Sequence, residues 1–283
     1  MGWYGRFVGV DRSLNDVAQG GGLRQFYEDR QPARFGDHRA RVALQMLSVA
    51  VAGRDRPRIL DVGCGDGQLT GGAAAATGGG TLIGLDWSRA ALEKARDKGL
   101  TLVQAEVDGG DLPFPEATFD VVMLNEVIEH LVEIDHAMVE ARRVLVRGGH
   151  LIVSTPNLAA WFNRLLLLAG VQPVFSEVSR EGVYGRPGSE VAGHLRLFTR
   201  RALGEFLPAH GFADVRIVGA TYHDVPRLAR PVDRALAHWP AMAAILVAGM
   251  RKEGVADEPH VGATFLSKGR PGTLASVMRR RRL

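Results

Sequence analysis

The 283-residue chain has a single cysteine, Cys64, and no apolar run long enough to cross a bilayer. One cysteine cannot form an internal disulfide, which excludes a disulfide-stabilised scaffold and favours a reducing compartment. The longest apolar runs, residues 165–171 and 241–250, fall well short of the roughly 20 residues that a membrane-spanning helix needs. The first twelve residues contain no apolar stretch of signal-peptide length. We therefore expect a cytoplasmic protein without a transmembrane segment.

The sequence also has no net positive charge outside its C-terminal end. The whole chain carries a net charge of +4, but residues 251–283 contain eight basic and three acidic residues. The other 250 residues therefore carry a net charge of −1, whereas a nucleic-acid-binding face needs basic residues spread over the fold. Nucleic acid is thus not the expected partner, and the run Arg279–Arg282 is interpreted as a solvated end.

The pattern of apolar residues predicts an α/β domain. Hydrophobic residues make up 46% of the chain and charged residues 23%, as in ordinary globular proteins. Strand-like runs alternate with helical stretches, which predicts a parallel sheet with helices on both faces. We expect a helical or irregular N-terminal extension over residues 1–53, the main domain over 54–250 and a flexible basic tail over 251–283. A loop-rich insertion over 156–196 interrupts the alternation and is predicted to be a substrate lid.

Individual elements follow from the same pattern. Strands are predicted over residues 58–62, 81–85, 101–105, 119–124, 150–155 and 212–219, with a final apolar run over 241–250. Helices are predicted over 68–76, 88–98, 126–131, 135–144 and 199–210, with one or two more between residues 24 and 51. Ser88 is a predicted N-cap, because its hydroxyl can accept from the free amides of the first helical turn.

A glycine-rich loop follows the first predicted strand and opens a helix. Its sequence is Asp61-Val-Gly63-Cys-Gly65-Asp-Gly67. Glycines let the backbone turn sharply and approach a ligand closely. The spacing departs from the dinucleotide-binding pattern G-x-G-x-x-G, because the third glycine comes one residue early. A purely structural turn is the alternative, and Cys64 is interpreted as a small filler residue.

Acidic and aromatic residues beside this loop indicate a small-molecule site. Asp61 precedes the glycines, where its carboxylate can take an ammonium group. Asp86 ends the second predicted strand, 19 residues after Gly67, where a carboxylate can bridge two ribose hydroxyls. Trp87 follows at once and offers an aromatic face to an adenine ring. The alternatives are an acid at a helix N-terminus for Asp86 and core packing for Trp87.

A second cluster follows the fourth predicted strand. At about 100° per residue on a helix, Glu126, Glu129 and His130 share one face and the apolar residues between them face the other way. Two carboxylates and an imidazole at one spot repel unless a cation or a proton lies between them. Mixed oxygen and nitrogen ligands suit Mg²⁺, Mn²⁺, Fe²⁺ or Zn²⁺. The alternative is a solvated helix face with a chance histidine.

Three segments resemble class I S-adenosylmethionine-dependent methyltransferases. They are Ile59-Leu-Asp-Val-Gly-Cys-Gly-Asp-Gly67, Gly84-Leu-Asp86 and Leu112-Pro-Phe-Pro with Phe119-Asp120-Val-Val. The resemblance covers about residues 40–250 and implies a Rossmann-like seven-stranded sheet in the order 3-2-1-4-5-7-6, with strand seven antiparallel. It implies S-adenosylmethionine as the cofactor, above the carboxyl ends of strands one and two.

The resemblance also implies which residues bind that cofactor. They are Asp61, Gly63, Gly65, Gly67, Asp86, Trp87, Asn125 and an acid that follows the third strand. Asp86 would bind the ribose hydroxyls, and the acid after strand three would lie near the adenine amine. Two acids, Glu106 and Asp108, stand at that place, and Glu106 is preferred.

The Glu-x-x-Glu-His segment resembles two metal-dependent O-methyltransferase families, the ubiquinone-pathway catechol type and the small-RNA 3′-end 2′-O type. In those families a further histidine ligand precedes a Phe-Thr helix start, and here His194 precedes Phe198-Thr199. The resemblance thus implies a divalent cation, Mg²⁺ or another, held by Glu126, Glu129, His130 and His194. If no metal binds, His130 or His194 is the predicted general base. The insert before His194 departs from those families in composition.

We therefore expect an S-adenosylmethionine-dependent methyltransferase that acts on a hydroxyl of a small molecule, a sugar, or a catechol or diol. The segment from Ser154 to Pro173 resembles bacterial methyltransferases of glycan and secondary-metabolite pathways. One rival function is an RNA 2′-O-methyltransferase that uses the arginine tail. Phosphate contacts favour a net positive charge, whereas residues 1–250 carry −1. The other rival is a non-catalytic cofactor-binding partner protein, which does not explain why the acids and glycines are all present.

Overall fold

The structure is a computed structural model that describes residues 38–76 and 79–254. The helices are α1 (His38–Ala50), α2 (Gln68–Ala76), α3 (Arg89–Arg96), α4 (Ile134–Val144), α5 (Trp161–Leu168), α6 (Arg200–Ala209) and α7 (Arg230–Ala237). The strands are β1 (Arg58–Val62), β2 (Thr81–Asp86), β3 (Thr101–Gln104), β4 (Phe119–Asn125), β5 (Leu145–Pro156), β6 (Phe212–Ala220) and β7 (Ile245–Lys252). No helix in these residues is long and apolar enough to span a membrane.

The seven strands form one sheet in the order β3-β2-β1-β4-β5-β7-β6. β1 pairs in parallel with β2 and β4, whereas β7 runs antiparallel to both β5 and β6. The predicted α/β fold, its strand order and its antiparallel seventh strand are therefore confirmed. Because β1, β2 and β4 are parallel, their carboxyl ends meet at one edge of the sheet, where ligands bind in open α/β folds.

Side chains of the central strands alternate between two apolar layers, because successive residues of a strand point to opposite faces. Leu60 of β1 packs in the layer that contains Met138 of α4 and Leu207 of α6. Its neighbour Ile59 packs in the other layer with Leu47 of α1. All five side chains are fully buried. Both faces of the sheet are covered, as the near-continuous apolar strands predict.

Two helix starts have the side-chain caps that satisfy otherwise unpaired amides. The Ser88 hydroxyl accepts from the backbone N–H of Ala91 at 3.2 Å, which confirms the predicted N-cap of α3. The Thr199 hydroxyl accepts from the backbone N–H of Ala202 at 3.1 Å at the start of α6. These caps fix the points at which the chain leaves β2 and the 156–196 insertion.

Several boundaries differ from the predicted ones. β5 begins at Leu145 rather than at residue 150, because Leu145 pairs with Phe119 and a register shift in β4 accommodates the extra residues. β7 continues to Lys252, two residues into the predicted tail, because Arg251 and Lys252 pair with β6. Helix α7 lies where no element was predicted.

The ends of the chain are described only in part. Helix α1 lies within the predicted N-terminal extension and packs on the sheet through Leu47 and Met46, whose sulfur lies close to Gly249 of β7. The predictions for residues 1–37 of the N-terminal extension and for the arginine run Arg279–Arg282 lie outside the described residues.

Candidate functional site

The glycine loop after β1 has a backbone that needs glycine at three positions. Gly63, Gly65 and Gly67 have φ angles of +71°, +55° and +75°. A Cβ at Gly63 would lie 2.5 Å from the Val127 side chain, whereas a Cβ at Gly65 would meet no atom within 4 Å. The loop is therefore packed against the protein at Gly63 and faces open space at Gly65, where a ligand can approach the backbone.

Asp61 lies in β1 at the base of this loop. Its carboxylate is buried and accepts a hydrogen bond from the Thr70 hydroxyl of α2 at 2.7 Å. Burial raises the pKa of Asp61 to about 7. A carboxyl group held in this way gains from a cation beside it, because an opposite charge stabilises the ionised form.

Asp86 joins the glycine loop to the start of α3. One carboxylate oxygen accepts from the backbone N–H of Gly65 at 2.8 Å, and the other accepts from that of Ser88 at 2.9 Å. Burial raises the pKa of Asp86 above its ordinary value. A backbone hydrogen bond from Trp87 also lowers the Asp86 pKa. A carboxylate has about four lone-pair sites, so it can still accept from a further donor such as a hydroxyl.

The two candidate acids after β3 have different contacts. The Asp108 carboxylate accepts from the backbone N–H groups of Val132 and Glu133, at 3.0 and 2.7 Å, and so holds the approach to α4. The Glu106 carboxylate accepts long hydrogen bonds from the amides of Val107 and Asp108, at 3.3 and 3.4 Å. Asp108 therefore holds the fold of this edge, and the role of Glu106 in binding a ligand stays a prediction.

Asn125 is the last residue of β4 and has an unsatisfied side chain. Both polar atoms of its amide are buried and make no hydrogen bond to the residues that the structure describes. A buried polar group without a partner costs roughly 1–3 kcal/mol. This amide stands at the same sheet edge as the glycine loop, so a ligand with donor and acceptor groups there would relieve the cost.

The segment after β4 forms a turn, so the predicted helix over residues 126–131 is wrong. Glu126 has a φ of +56°, outside the helical region. Its amide donates to the backbone and side-chain oxygens of Ser154, and its carboxylate accepts from the Ser154 hydroxyl at 2.9 Å. Arg39 of α1 lies 2.9 Å from the second carboxylate oxygen. These contacts turn the chain away from a helix and direct the Glu126 side chain toward α1.

The turn nevertheless brings three of the four predicted metal ligands together. Glu129, His130 and His194 each place one ligand atom within 4.8 Å of the others. The rings of His130 and His194 have centroids 5.0 Å apart. The Glu126 carboxylate, paired with Arg39, is not part of this group, which corrects the expectation that all four side chains converge.

The three side chains have the chemistry of a ligand set. Both Glu129 carboxylate oxygens are buried without a hydrogen-bond partner among the described residues. Burial, and then the charge of Glu126, raise the pKa of Glu129 well above its ordinary value. The Nδ1 atoms of His130 and His194 lie 3.2 and 2.9 Å from the backbone oxygens of Gly193 and Phe175. A carbonyl accepts from Nδ1–H, so in the neutral form of each ring the lone pair lies on Nε2. The Nε2 atom of His130 lies 4.0 Å from the Glu129 Oε1 atom.

His194 reaches His130, 64 residues earlier in the chain, through backbone contacts. The amides of Leu195 and Arg196 both donate to the Glu129 carbonyl, at 2.8 and 3.0 Å. Phe198 then pairs with Asn157 at the end of β5. The insertion over 156–196 thus returns across the carboxyl ends of β4 and β5 before α6 begins.

The aromatic residues of this insertion differ in exposure. Phe175 is buried and stacks edge-on against Phe162 and Tyr222, with ring centroids 5.8 and 5.1 Å away. The Trp161 indole donates to Asp233 of α7 at 3.0 Å. Tyr184 is exposed. Trp161, Phe162 and Phe175 therefore anchor the insertion to the domain, and the role of the insertion as a lid stays a prediction.

Sequence reasoning missed four residues that shape the site. Thr70 binds Asp61, Ser154 and Arg39 bind Glu126, and the Glu177 carboxylate accepts from the amides just before and at His194. Thr70 lies nine residues after Asp61, whereas Ser154, Arg39 and the Glu177 carboxylate reach their partners from other elements of the fold. Only the fold brings these contacts together.

Residues 60–153 match the family described as a methyltransferase domain. A probable S-adenosylmethionine-dependent methyltransferase of Mycolicibacterium smegmatis is 37% identical over 119 residues, which are 42% of this chain and 44% of the relative. A ubiquinone biosynthesis O-methyltransferase of Alkalilimnicola ehrlichii is 35% identical over 120 residues, 40% of this chain and 47% of the relative. The chain spans about half the length of the curated relatives that it matches.

Solved structures share the fold at low sequence identity. An S-adenosylmethionine-dependent methyltransferase of Mesorhizobium loti has a TM-score of 0.50 and 20% identity, covering 74% of this chain and 96% of that one. The cyclase SpnF has a TM-score of 0.51 and 20% identity, covering 86% and 95%. Residues 60–153 thus match a methyltransferase domain, and the whole sheet has the fold of these solved structures. SpnF illustrates that this fold alone does not fix the reaction.

Proposed function

We propose that the chain is an S-adenosylmethionine-dependent methyltransferase that methylates a hydroxyl group of a small-molecule, sugar or catechol-type acceptor. The proposal rests on two groups of residues that lie next to each other at one edge of the sheet. The glycine loop, Asp86 and Asn125 form one half, and Glu129, His130 and His194 form the other. Val127 lies against Gly63 between them, so the two halves are neighbours. The similarity to a ubiquinone biosynthesis O-methyltransferase favours a hydroxyl acceptor.

The first half fits the cofactor group by group. The Asp86 carboxylate, which Gly65 and Ser88 hold through their amides, would accept from the ribose hydroxyls. Asp61, with its raised pKa, gains from the ammonium group. The unpaired Asn125 amide gains hydrogen bonds. When bound, S-adenosylmethionine supplies the electrophilic methyl group.

The adenine end of the cofactor has two further candidates. Glu106 would accept from the adenine amine, because Asp108 already binds two amides before α4. Trp87, which follows Asp86 at the end of β2, would lie along the adenine ring. The open space beside Gly65 leaves room for the ribose and methionine parts.

The second half fits a divalent cation held by one carboxylate and two imidazoles. The partnerless oxygens of Glu129 and the two Nε2 atoms supply one oxygen and two nitrogen ligands, a set that Fe²⁺, Mn²⁺ and Zn²⁺ accept. When bound, such an ion would hold adjacent substrate oxygens and lower the pKa of the attacking hydroxyl. Because Glu126 pairs with Arg39, we propose three protein ligands rather than four.

Without a metal, the same imidazoles can act as the general base. The Nε2 atom of His130 or His194 would take the hydroxyl proton, while Gly193 or Phe175 holds the Nδ1 side of the ring. A positioned base contributes roughly 10²–10⁴-fold in rate. The metal and base roles use the same nitrogen, so one ring cannot perform both at once.

The test is an acceptor screen with purified full-length protein. The protein is incubated with S-adenosylmethionine and one acceptor at a time, with and without chelator. The acceptors are catechol, vicinal diols, their single-hydroxyl analogues and simple sugars, and mass spectrometry measures the product masses. We expect addition of one methylene mass to an oxygen of at least one adjacent-diol acceptor. Full activity in chelator would overturn the metal role and leave the base role. Absence of cofactor binding in calorimetry would overturn the methyltransferase proposal.

A further inference from the structure

Glu177 is a buried carboxylate in the middle of the insertion over residues 156–196. Its side chain and that of Arg186 are each only 5% exposed, and the Arg186 guanidinium lies 3.3 Å from the Glu177 Oε1 atom. The same guanidinium donates to the backbone oxygens of Pro187 and Glu190, at 3.1 and 2.8 Å. A buried charge pair of this kind persists only when its remaining donors and acceptors are also satisfied.

The Glu177 carboxylate binds a run of three consecutive amides. Oε1 accepts from the backbone N–H of Ala192 as well as from Arg186. Oε2 accepts from the N–H groups of Gly193 and His194, at 2.6 and 3.2 Å. Hydrogen bonds to a charged acceptor are stronger than neutral ones. One side chain therefore fixes the backbone of residues 192–194.

That backbone determines how both imidazoles are held. The carbonyl of Gly193 lies 3.2 Å from Nδ1 of His130. The ring of His194 is held through Nδ1 by the carbonyl of Phe175, two residues before Glu177. Residues 175–193 form a loop: the Phe175 carbonyl at its start holds the His194 ring, and the Gly193 carbonyl at its end holds the His130 ring. The Glu177 carboxylate binds the end of this loop.

We infer that Glu177 is a positioning residue that fixes the orientation and tautomer of both His130 and His194, with Arg186 balancing its charge. Loss of the carboxylate frees the amides of residues 192–194, so the Gly193 carbonyl no longer holds the His130 ring. Nδ1–H is then no longer the fixed donor in either ring, and Nε2 is no longer the fixed acceptor. The functional consequence rests on the proposed ligand or base role of these histidines, whereas the positioning itself does not.

The experiment compares Glu177→Gln with Glu181→Gln, a matched change at an exposed glutamate of the same insertion. One end of the glutamine side chain is an NH₂ group, which cannot accept hydrogen bonds from the backbone amides that the Glu177 carboxylate binds. Nitrogen-15 spectra of the histidine rings, in metal-free protein, report the tautomer of each ring. Signals are assigned with His130→Gln and His194→Gln.

We expect both rings to hold the Nδ1–H tautomer in the wild type and in Glu181→Gln, and to show averaged tautomers in Glu177→Gln. Absorbance titration with Co²⁺ should show a loss in affinity of about 10–100-fold in Glu177→Gln, the usual effect of removing a group that orients a metal ligand. S-adenosylmethionine affinity should stay within about twofold of the Glu181→Gln value, since every group proposed to bind it lies outside the loop.

Unchanged ring tautomers in folded Glu177→Gln would overturn the inference. Changed tautomers in a protein whose wild type binds no Co²⁺ would support the positioning role and overturn the metal proposal instead. If Glu177→Gln does not fold, Glu177→Asp keeps the charge and withdraws it by one methylene from the three amides. The same ring spectra then decide, with a smaller shift expected.

Discussion

The glycine loop after β1 and the histidine cluster after β4 lie at the same sheet edge but are assembled differently. The loop is local: Asp61, Gly63 and Gly65 stand within five residues, and Asp86 joins them from the adjacent strand. The cluster needs His194, which arrives through backbone contacts to Glu129 after a long insertion. In the proposed function the loop binds the cofactor and the cluster acts on the acceptor, so we expect changes in the insertion to alter the acceptor and leave the cofactor site intact.

The largest expected effect is on the rate of methyl transfer, from a change in the histidine cluster that leaves the glycine loop intact. His194→Gln should lower the rate of methyl transfer at least about 100-fold, because it removes either a general base or a metal ligand. S-adenosylmethionine affinity should stay within twofold of wild type when measured by calorimetry. His238→Gln, at an exposed position after α7, is the control. A parallel loss of cofactor affinity would show that the two halves are not separable.

A change beside the glycine loop should instead lower the affinity for the cofactor. Asp86→Ala removes the acceptor for two ribose hydroxyls and the partner of the Gly65 and Ser88 amides. Hydrogen bonds to a charged group are worth about 1.5–3 kcal/mol, so affinity should fall tenfold or more. Calorimetry measures the change, with Asp97→Ala at the exposed end of α3 as control. Unchanged affinity would remove Asp86 from the cofactor site.

Proton uptake by Asp61 gives a smaller, pH-dependent effect. Its pKa of about 7 means that the carboxyl group is largely protonated below that pH and cannot pair with an ammonium group. Cofactor affinity should therefore rise with pH between about 5.5 and 7.5, by up to tenfold per pH unit below the pKa. Asp61→Asn should flatten this profile. A profile of equal slope in both proteins would assign the titration to another group.

The same protonation has a consequence for stability. The folded-state pKa of Asp61 lies above the ordinary 3.8, so the folded chain binds more protons than the unfolded chain between these values. The contribution of Asp61 to the free energy of unfolding therefore falls as pH rises from about 4 to 7. Urea unfolding of the wild type and Asp61→Asn at pH 5 and 7 measures this difference.

The two halves also differ in how far the sequence predicts them. β1 and α2 match the predicted bounds, because apolar runs and glycine-opened helices are local signals. The predicted helix over residues 126–131 is wrong, although the apolar residues there do have helical spacing. The Glu126 amide donates to Ser154 and the Glu126 backbone has a positive φ, so no helix forms. Tertiary contacts of this kind override local propensity.

Tertiary contacts also explain why sequence reasoning missed Arg39 and Glu177. Arg39 and Glu177 reach the acceptor half from α1 and from the insertion, and their roles depend on partners that no spacing rule specifies. Helix α7 was missed because its eight residues contain Arg230, Pro231 and Arg234 with few buried positions. What the sequence did predict for the cluster, the approach of His194 to His130, came from resemblance and not from periodicity.

The smallest expected effect decides between three and four ligands. Glu126→Gln keeps an acceptor for the Ser154 hydroxyl but removes the charge that faces Arg39. If Glu126 is no ligand, Co²⁺ affinity should change by no more than about threefold, because only the field at the cluster changes. Part of that change should favour binding, since the charge of Glu126 raises the pKa of Glu129, and its removal eases deprotonation of that ligand. Glu129→Gln, by contrast, should lower Co²⁺ affinity tenfold or more. Equal losses in the two variants would mean that Glu126 leaves Arg39 on metal binding and that the acceptor half uses four protein ligands.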